Sequence, residues 1–481
     1  MSSLERSTSK RYWRSLAELQ DAPEFRAFAE AEFPHEADPA GISRRRWLQI
    51  MGASLALAGA AGCETDPQFI LPFAKRPEGR VPGKREHYAT AMELSGNAVG
   101  LLVTCVDGRP IKVEGNPAHP FSLGATNVLA QAAILELYDP DRSRRPVQKG
   151  PHGGITQRGG TDQTPWNRFD AMLRGVMEAA RSQQGDGFCV LAEPCSSPTL
   201  ARLRQEFLKQ FPHARWFEYE PLTTDNERAG AVQAFGRPYR CHFELSEARV
   251  IVCFEADLLG SHPGALRYAR QFAQVRPAAD GTMNRLYAVE CAYSVTGIAA
   301  DHRLSLPRRR IGAFVAKVLE RIERLERGED SASEPAGESA EFADRFLDAV
   351  VEDLSKNRGR GVVAVGPEQP PEVHAAAHRL NSLLGNVGKT VRYAEPPDPD
   401  RLLHVEAITE LTHLMRDGKV TTLLILGGNP VYDAPADLDF AAALEKVATS
   451  IHCSLYRNET SLLCDWHVPQ AHFLESWSDA R

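Results

Sequence analysis

Five short apolar runs, each trailed by a helical pattern, restrict this 481-residue chain to a layered α/β architecture. The runs are "FCVLA" (188–192), "ARVIVCFEA" (248–256), "RLYAVEC" (285–291), "GVVAVG" (361–366) and "TTLLILGGNP" (421–430). Helical periodicity follows at 198–211, 263–275, 311–327, 372–385 and 437–446. This alternation predicts βαβ units around mostly parallel sheets, whose ligands lie beyond the carboxyl ends of the strands. Two strand-end loops fit that position: "LLGSHPG" (258–264) and "GGNP" (427–430). Their glycines permit close backbone approach, although such a turn is by itself a weak ligand signal. Upstream, "GNAVGLLVTCVDGRPIKVEGNPAHPFSLGATN" carries Asp107-Gly108 between alternating apolar residues, the pattern of a β-hairpin. The stretch "LERGEDSASEPAGESAEFAD" (325–344) is acidic and poor in apolar residues, and reads as a solvent-exposed linker.

At roughly 150 residues per domain, the length allows two to four packed units. A net charge of −7 argues against nucleic acid as a partner. Nine scattered cysteines form no Cys-x2-Cys pair, so a cysteine-held cluster or zinc ribbon has no local support. His452, Cys453, Cys464, His467 and His472 crowd one short stretch, but the spacing is not a zinc pattern and predicts packing in strands and loops.

The segment "SRRRWLQIMGASLALAGAAGC" (43–63) joins a basic start to a short apolar run rich in small residues, the physical form of an export signal. The apolar run is shorter than the roughly 20 residues of a membrane-spanning helix. Arg44 and Arg45, with Ser43, Trp47 and Leu48, resemble a twin-arginine signal. "AAGC" resembles a lipobox, making Cys63 a candidate lipidation site, while Ala60 in place of the usual Leu leaves acylation open. In the preceding extension, Asp21 and Glu24 predict a capping box, with Phe25, Phe28 and Ala29 on one helix face.

"VDGRPIKVEGNPAHPFSLG" (106–124) resembles the N-terminal hairpin of molybdopterin-dependent oxidoreductases. "ILGGNPVYDAP" (425–435) is similar to their pterin-nucleotide loop, and 458–481 to a later stretch of the same family. With the extension and displaced signal, nearly the whole chain resembles the iron–sulfur B subunits of alternative complex III. The resemblance implies a molybdopterin-oxidoreductase-like fold of several subdomains, with parallel sheets flanked by helices and a small β-hairpin region in front. The expected organisation is a helical extension (1–42), the signal (43–63), a β-rich region (64–150), a first α/β subdomain (151–330) and a second (331–481) cut short at its end. Gly427, Gly428, Asn429 and Pro430 are then expected to form a vestigial cofactor loop.

Departures from an active member of that family are specific. The cluster-binding cysteine run is missing before the hairpin, where only Cys105 stands, and "SHPG" replaces the usual Gly-x-Asn-Pro of the first nucleotide loop. Cys195 falls too early to be the molybdenum ligand. No catalytic residue and no metal ligand is identified. The resemblance therefore implies a cofactor-free scaffold, exported by the twin-arginine translocase to the periplasmic face of the inner membrane. Its implied partners are a multihaem cytochrome, integral quinol-binding subunits and an iron–sulfur region or polypeptide. The ending at "SWSDAR" implies a split or truncated product whose cluster ligands lie elsewhere. Two competing readings stand beside this one. The first is the catalytic large subunit of a reductase of the polysulfide or formate type, holding bis-molybdopterin guanine dinucleotide. The second is a lipid-anchored binding protein on doubly wound domains.

Overall fold

A computed structural model describes residues 81–94, 96–150, 164–276, 283–329 and 338–481, with isolated positions 20, 22, 23, 78 and 79. Contacts separate Met1–Arg80 from Val81–Arg481, and every element named below belongs to the second unit. The capping box of the extension, Arg44, Arg45 and Cys63 lie outside the described residues. Among the described residues no helix is long and apolar enough to cross a membrane.

Strands β1 (Arg85–Leu94), β2 (Asn97–Val106) and β3 (Arg109–Gly115) form an antiparallel meander. Asp107 and Gly108 turn β2 into β3 with φ of 50° and 83°, the paired left-handed conformation of a tight hairpin. The hairpin anticipated at this turn is therefore present, with β1 added along its other edge.

Twelve further strands follow in the described chain: β4 (Val147–Gln148), β5 (Phe188–Ala192), β6 (Arg215–Glu218), β7 (Arg240–Phe243), β8 (Val250–Phe254), β9 (Arg285–Glu290), β10 (His302–Ser305), β11 (Gly361–Val365), β12 (Val391–Ala394), β13 (Thr422–Leu426), β14 (Thr449–Ser454) and β15 (Trp466–Pro469). They build a six-stranded sheet ordered β4-β15-β14-β13-β5-β6, parallel except for β4. A second sheet, β10-β9-β8-β11, is parallel throughout. β7 and β12 pair antiparallel as a small ribbon.

Both parallel sheets are covered on two faces, which is why their strands read as continuous apolar runs. In the four-stranded sheet, Val250, Val252 and Phe254 face helices 308–326, 338–356 and 371–383 through Val315, Val350 and Leu380. The alternate residues Ile251 and Cys253 face helix 265–274 through Tyr268 and Phe272. In the six-stranded sheet, Leu191, Leu423 and Ile425 pack on helix 404–416 through Ile408 and Leu411. Val190 meets Phe211 on the opposite side.

The sheets cut across the boundary expected at 330. β11 completes a sheet with β8, β9 and β10, whereas β5 and β6 join β13, β14 and β15. One α/β unit is thus nested inside the other. Apolar runs reveal strands but not their neighbours, and pairing is decided by which edge leaves both faces buried. The expected linker is also reassigned in part. Glu338–Lys356 is helical, and Phe346, Leu347, Val350, Val351 and Leu354 bury one of its sides against the same core as helix 308–326. On its other side Glu352 is exposed, whereas Asp353 accepts from Tyr287 and Arg285.

Candidate functional site

Each parallel sheet has one place where its strand order reverses direction: between β5 and β13 in the larger sheet, and between β8 and β11 in the smaller. Such switch points open a crevice beyond the carboxyl ends of the strands. The loop Gly427-Gly428-Asn429-Pro430 follows β13 and therefore occupies the first of them.

Gly427 and Gly428 have φ of 76° and 70°, so the chain reverses through a conformation that side chains resist. A Cβ on Gly427 would collide with the Glu193 carboxylate, which projects from the residue after β5. Asn429 fastens the turn to the segment after β14. Its Oδ1 accepts from the Thr460 amide (3.1 Å) and hydroxyl (2.8 Å), and its Nδ2 donates to Glu459 (2.7 Å). Pro430 opens a helix of four residues, Pro430–Asp433. Asn458 donates to the Gly428 carbonyl and buried His452 to the Gly427 carbonyl, both at 3.2 Å.

Carboxylates dominate the electrostatics. Burial raises the Glu193 carboxyl above its ordinary range; the Gly428 amide opposes this, and Glu220, Asp433 and Glu93 add to it. Asp433 is pushed up to about 6, again chiefly by burial. Cys195 lies on the loop after β5 and donates to Glu93 at 2.9 Å; burial and that carboxylate push its thiol up to about 12. The thiol is thereby kept protonated in these surroundings, contrary to what a nucleophile needs. From the far end of the sequence, Asp479 accepts from the Ser197 and Thr199 hydroxyls at the start of helix 198–210.

The second crevice repeats the plan. Glu255 follows β8 with φ of 54°, and its carboxylate accepts from Gln369 (2.8 Å) and pairs with Arg308 (3.0 Å). Burial alone would raise this carboxyl, but hydrogen bonds from Cys291 and Gln369 and the Arg308 charge bring it below its usual value. Gly366, just after β11, lies so close to the Glu255 carbonyl that no Cβ fits there. The neighbouring 258–264 turn is held by Asp257, which accepts from Ser261 (2.8 Å), and from the Thr296 amide (2.9 Å) and hydroxyl (2.8 Å). His262 in turn accepts from Gly264 at 2.8 Å. Each switch point therefore has a glutamate directly after the strand that comes first in sequence, with a glycine against the carboxylate of Glu193 and against the main-chain carbonyl of Glu255.

The crowded His/Cys stretch is drawn into separate contacts. His452 and His467 share Ser461, whereas His472 meets the Ala133 carbonyl at 3.1 Å. Among the described residues, no group of three or more His, Cys, Asp or Glu side chains is placed to hold a metal ion. The glycines and Asn429 were legible as a strand-end loop. Glu193, Asn458, Thr460 and His452 were not, because each comes from a part of the chain distant from the turn, and Glu255, although next to the 258–264 loop, carries no motif of its own. The one available signal was a glutamate directly after two apolar runs, "FCVLAE" and "VIVCFE".

Comparison with known proteins first defines the fold class. Acetylene hydratase from Pelobacter acetylenicus superposes with a TM-score of 0.55 at 12% identity, over 78% of this chain and 62% of that one. The chain thus has a molybdopterin-enzyme fold, with parallel sheets flanked by helices and an antiparallel sheet in front. No family model matches it. A more particular likeness is to the menaquinone reductase, molybdopterin-binding-like subunit, of Nitratidesulfovibrio vulgaris (strain Hildenborough), 26% identical over 436 residues. That alignment covers 83% of this chain and 60% of the relative, so the chain spans about three fifths of its length.

Proposed function

We propose that this chain is a molybdopterin oxidoreductase-like subunit of a membrane-associated, quinone-linked respiratory complex of the alternative complex III type, acting as a cofactor-free scaffold. The likeness to a menaquinone reductase subunit supports the respiratory, quinone-linked part. The scaffold part rests on one observation: each switch-point crevice carries the chain's own glutamate carboxylate, Glu193 against Gly427 and Glu255 against Gln369 and Arg308.

A pterin dinucleotide presents a pyrophosphate, which calls for free N–H donors and cations. The first crevice presents Glu193, Asp433, Glu220 and Glu93 instead. Its amide and imidazole donors are already engaged, Asn429 with Glu459 and His452 with Gly427. In the second crevice Arg308 is neutralised by Glu255 and Glu368. These residues do not fit the dinucleotide, and no catalytic step is assigned through it. Arg44 and Arg45 extend the reading to export by the twin-arginine route, and Cys63 to lipid anchoring at the periplasmic face of the membrane. The proposed partners are a multihaem cytochrome, integral quinol-binding subunits and an iron–sulfur region carried outside these residues.

The test is metal and pterin analysis of protein purified from native membranes, together with identification of co-purifying subunits. The expected result is less than stoichiometric molybdenum and pterin, with multihaem cytochrome and quinol-binding polypeptides in constant ratio. Stoichiometric molybdenum with a guanine dinucleotide would overturn the scaffold reading and establish a catalytic large subunit. Isolation of the protein without partners would overturn membership of the complex.

A further inference from the structure

Beneath the Gly427–Gly428 turn, four buried or half-buried side chains join end to end. His452 Nε2 meets the Gly427 carbonyl at 3.2 Å, and His452 Nδ1 meets Ser461 Oγ at 2.7 Å. Ser461 Oγ meets His467 Nδ1 at 2.9 Å, and His467 Nε2 meets Ser143 Oγ at 2.6 Å. Ser143 lines a polar cleft of about 570 Å³, with Tyr138, Asp139, Arg142, Arg144 and Glu475 among its neighbours. The line therefore runs from an open polar cleft at one side of the sheet to the strand-end turn.

Its polarity follows from donor counting alone. A carbonyl only accepts, so His452 must carry its proton on Nε2, and neutral Nδ1 must accept from Ser461. Ser461 has one hydroxyl proton, already given to His452, so it accepts from His467 Nδ1–H. His467 Nε2 is then bare and accepts the Ser143 hydroxyl proton. All four protons point away from the cleft. The chain is fixed in one sense by a single terminal carbonyl.

We propose that Ser143, His467, Ser461 and His452 form a reversible proton relay, set at rest to carry a proton from the cleft to the underside of the Gly427–Gly428 turn. A hydronium ion in the cleft protonates Ser143 Oγ and leaves as water. Ser143 passes its original hydroxyl proton to His467 Nε2, and His467 releases its Nδ1 proton to Ser461 Oγ. Ser461 gives its own hydroxyl proton to His452 Nδ1. Both serines and His467 end with the protons they need to remain neutral, and His452 becomes an imidazolium.

The surroundings favour the inner end. Burial holds both imidazoles near about 4, but the secondary influences differ. His467 faces His452 and Arg457, which both oppose a positive charge on it. His452 faces the Gly427 and Gly428 backbone groups, which favour one. Across β4, the register partner of His467 is Val147, which does not titrate. The charge carried by the turn thus follows the acidity of the cleft.

The test uses the full chain with 15N-labelled histidine and long-range 1H–15N correlation. At neutral pH, His452 is expected as the Nε2–H tautomer and His467 as the Nδ1–H tautomer. Either imidazole in the opposite tautomer would overturn the relay. Near pH 4, relaxation dispersion reports the rate at which His452 takes up its proton. Ser143→Ala removes the outermost hydroxyl at a half-exposed position, and is expected to slow that rate by about 100-fold, the scale of a positioned proton-transfer group. Ser143→Thr keeps the hydroxyl and is expected to restore the rate. An unchanged rate in Ser143→Ala would overturn the relay, as would failure of the threonine variant to recover it. If Ser143→Ala does not fold, loss of the His467 Nδ1–H tautomer in Ser461→Ala is the supporting result, and its persistence the overturning one.

Discussion

Four buried imidazoles make this molecule sensitive to acid. His374, His378, His452 and His467 are each no more than 7% exposed, and burial holds each at about 4 rather than 6.5. Unfolding releases them to their ordinary value. Between about pH 4 and 6.5, these four groups therefore bind more protons in the unfolded chain than in the folded one, against the opposite pull of Glu227 and Asp433, whose carboxyls are raised to about 7 and about 6. The stability these groups lend is complete above 6.5 and is lost as the pH falls toward 4. Each contributes up to roughly 1.4 kcal/mol per pH unit across that window. The expected outcome is a urea midpoint clearly lower at pH 5.0 than at pH 7.5; equal midpoints would show that these rings charge freely inside the fold.

At the scale of single elements, helix 338–356 shows what an apolar stripe is worth when the surrounding composition suggests a linker. Leu347 is 2% exposed and Leu354 is fully buried, both in the core beside the four-stranded sheet. Leu347→Ala should therefore cost about 2–5 kcal/mol, the range for a large cavity in a close-packed interior, read as a fall in the urea midpoint. A change under about 0.5 kcal/mol, the scale of a surface substitution, would return the segment to the role of spacer. The same contrast explains what could be seen in the residues alone. β5, β8, β9, β11 and β13 stand out because burial on both faces demands uninterrupted apolar runs. β7 (RCHF) and β12 (VRYA) do not, because each carries polar residues and their pairing joins positions about 150 residues apart. The site divided likewise: the Gly-Gly-Asn-Pro turn has a local signature, but the carboxylates that meet it come from elsewhere in the chain.

For the whole molecule, the informative fact is nesting. Helix 225–235 packs on helix 371–383, β7 pairs with β12, and the four-stranded sheet lies wholly between them in sequence. A fragment spanning 222–402 is expected to fold alone, with a single cooperative melting transition. A fragment ending at 235 should not, since β5 lacks β13 on its inner side. A featureless melt of the 222–402 piece would show that the inner unit depends on the outer one.

The same interruption sets a schedule for synthesis. β5 leaves the ribosome long before β13, its neighbour in the finished sheet, because 426 − 192 = 234 residues separate the ends of the two strands. At about 5–20 residues per second, that is roughly 10–50 s during which an apolar strand edge waits in water. Over that interval helices 165–182 and 198–210 cover one face of β5 but not that edge, and aggregation during expression should rise when translation is slowed between the two strands.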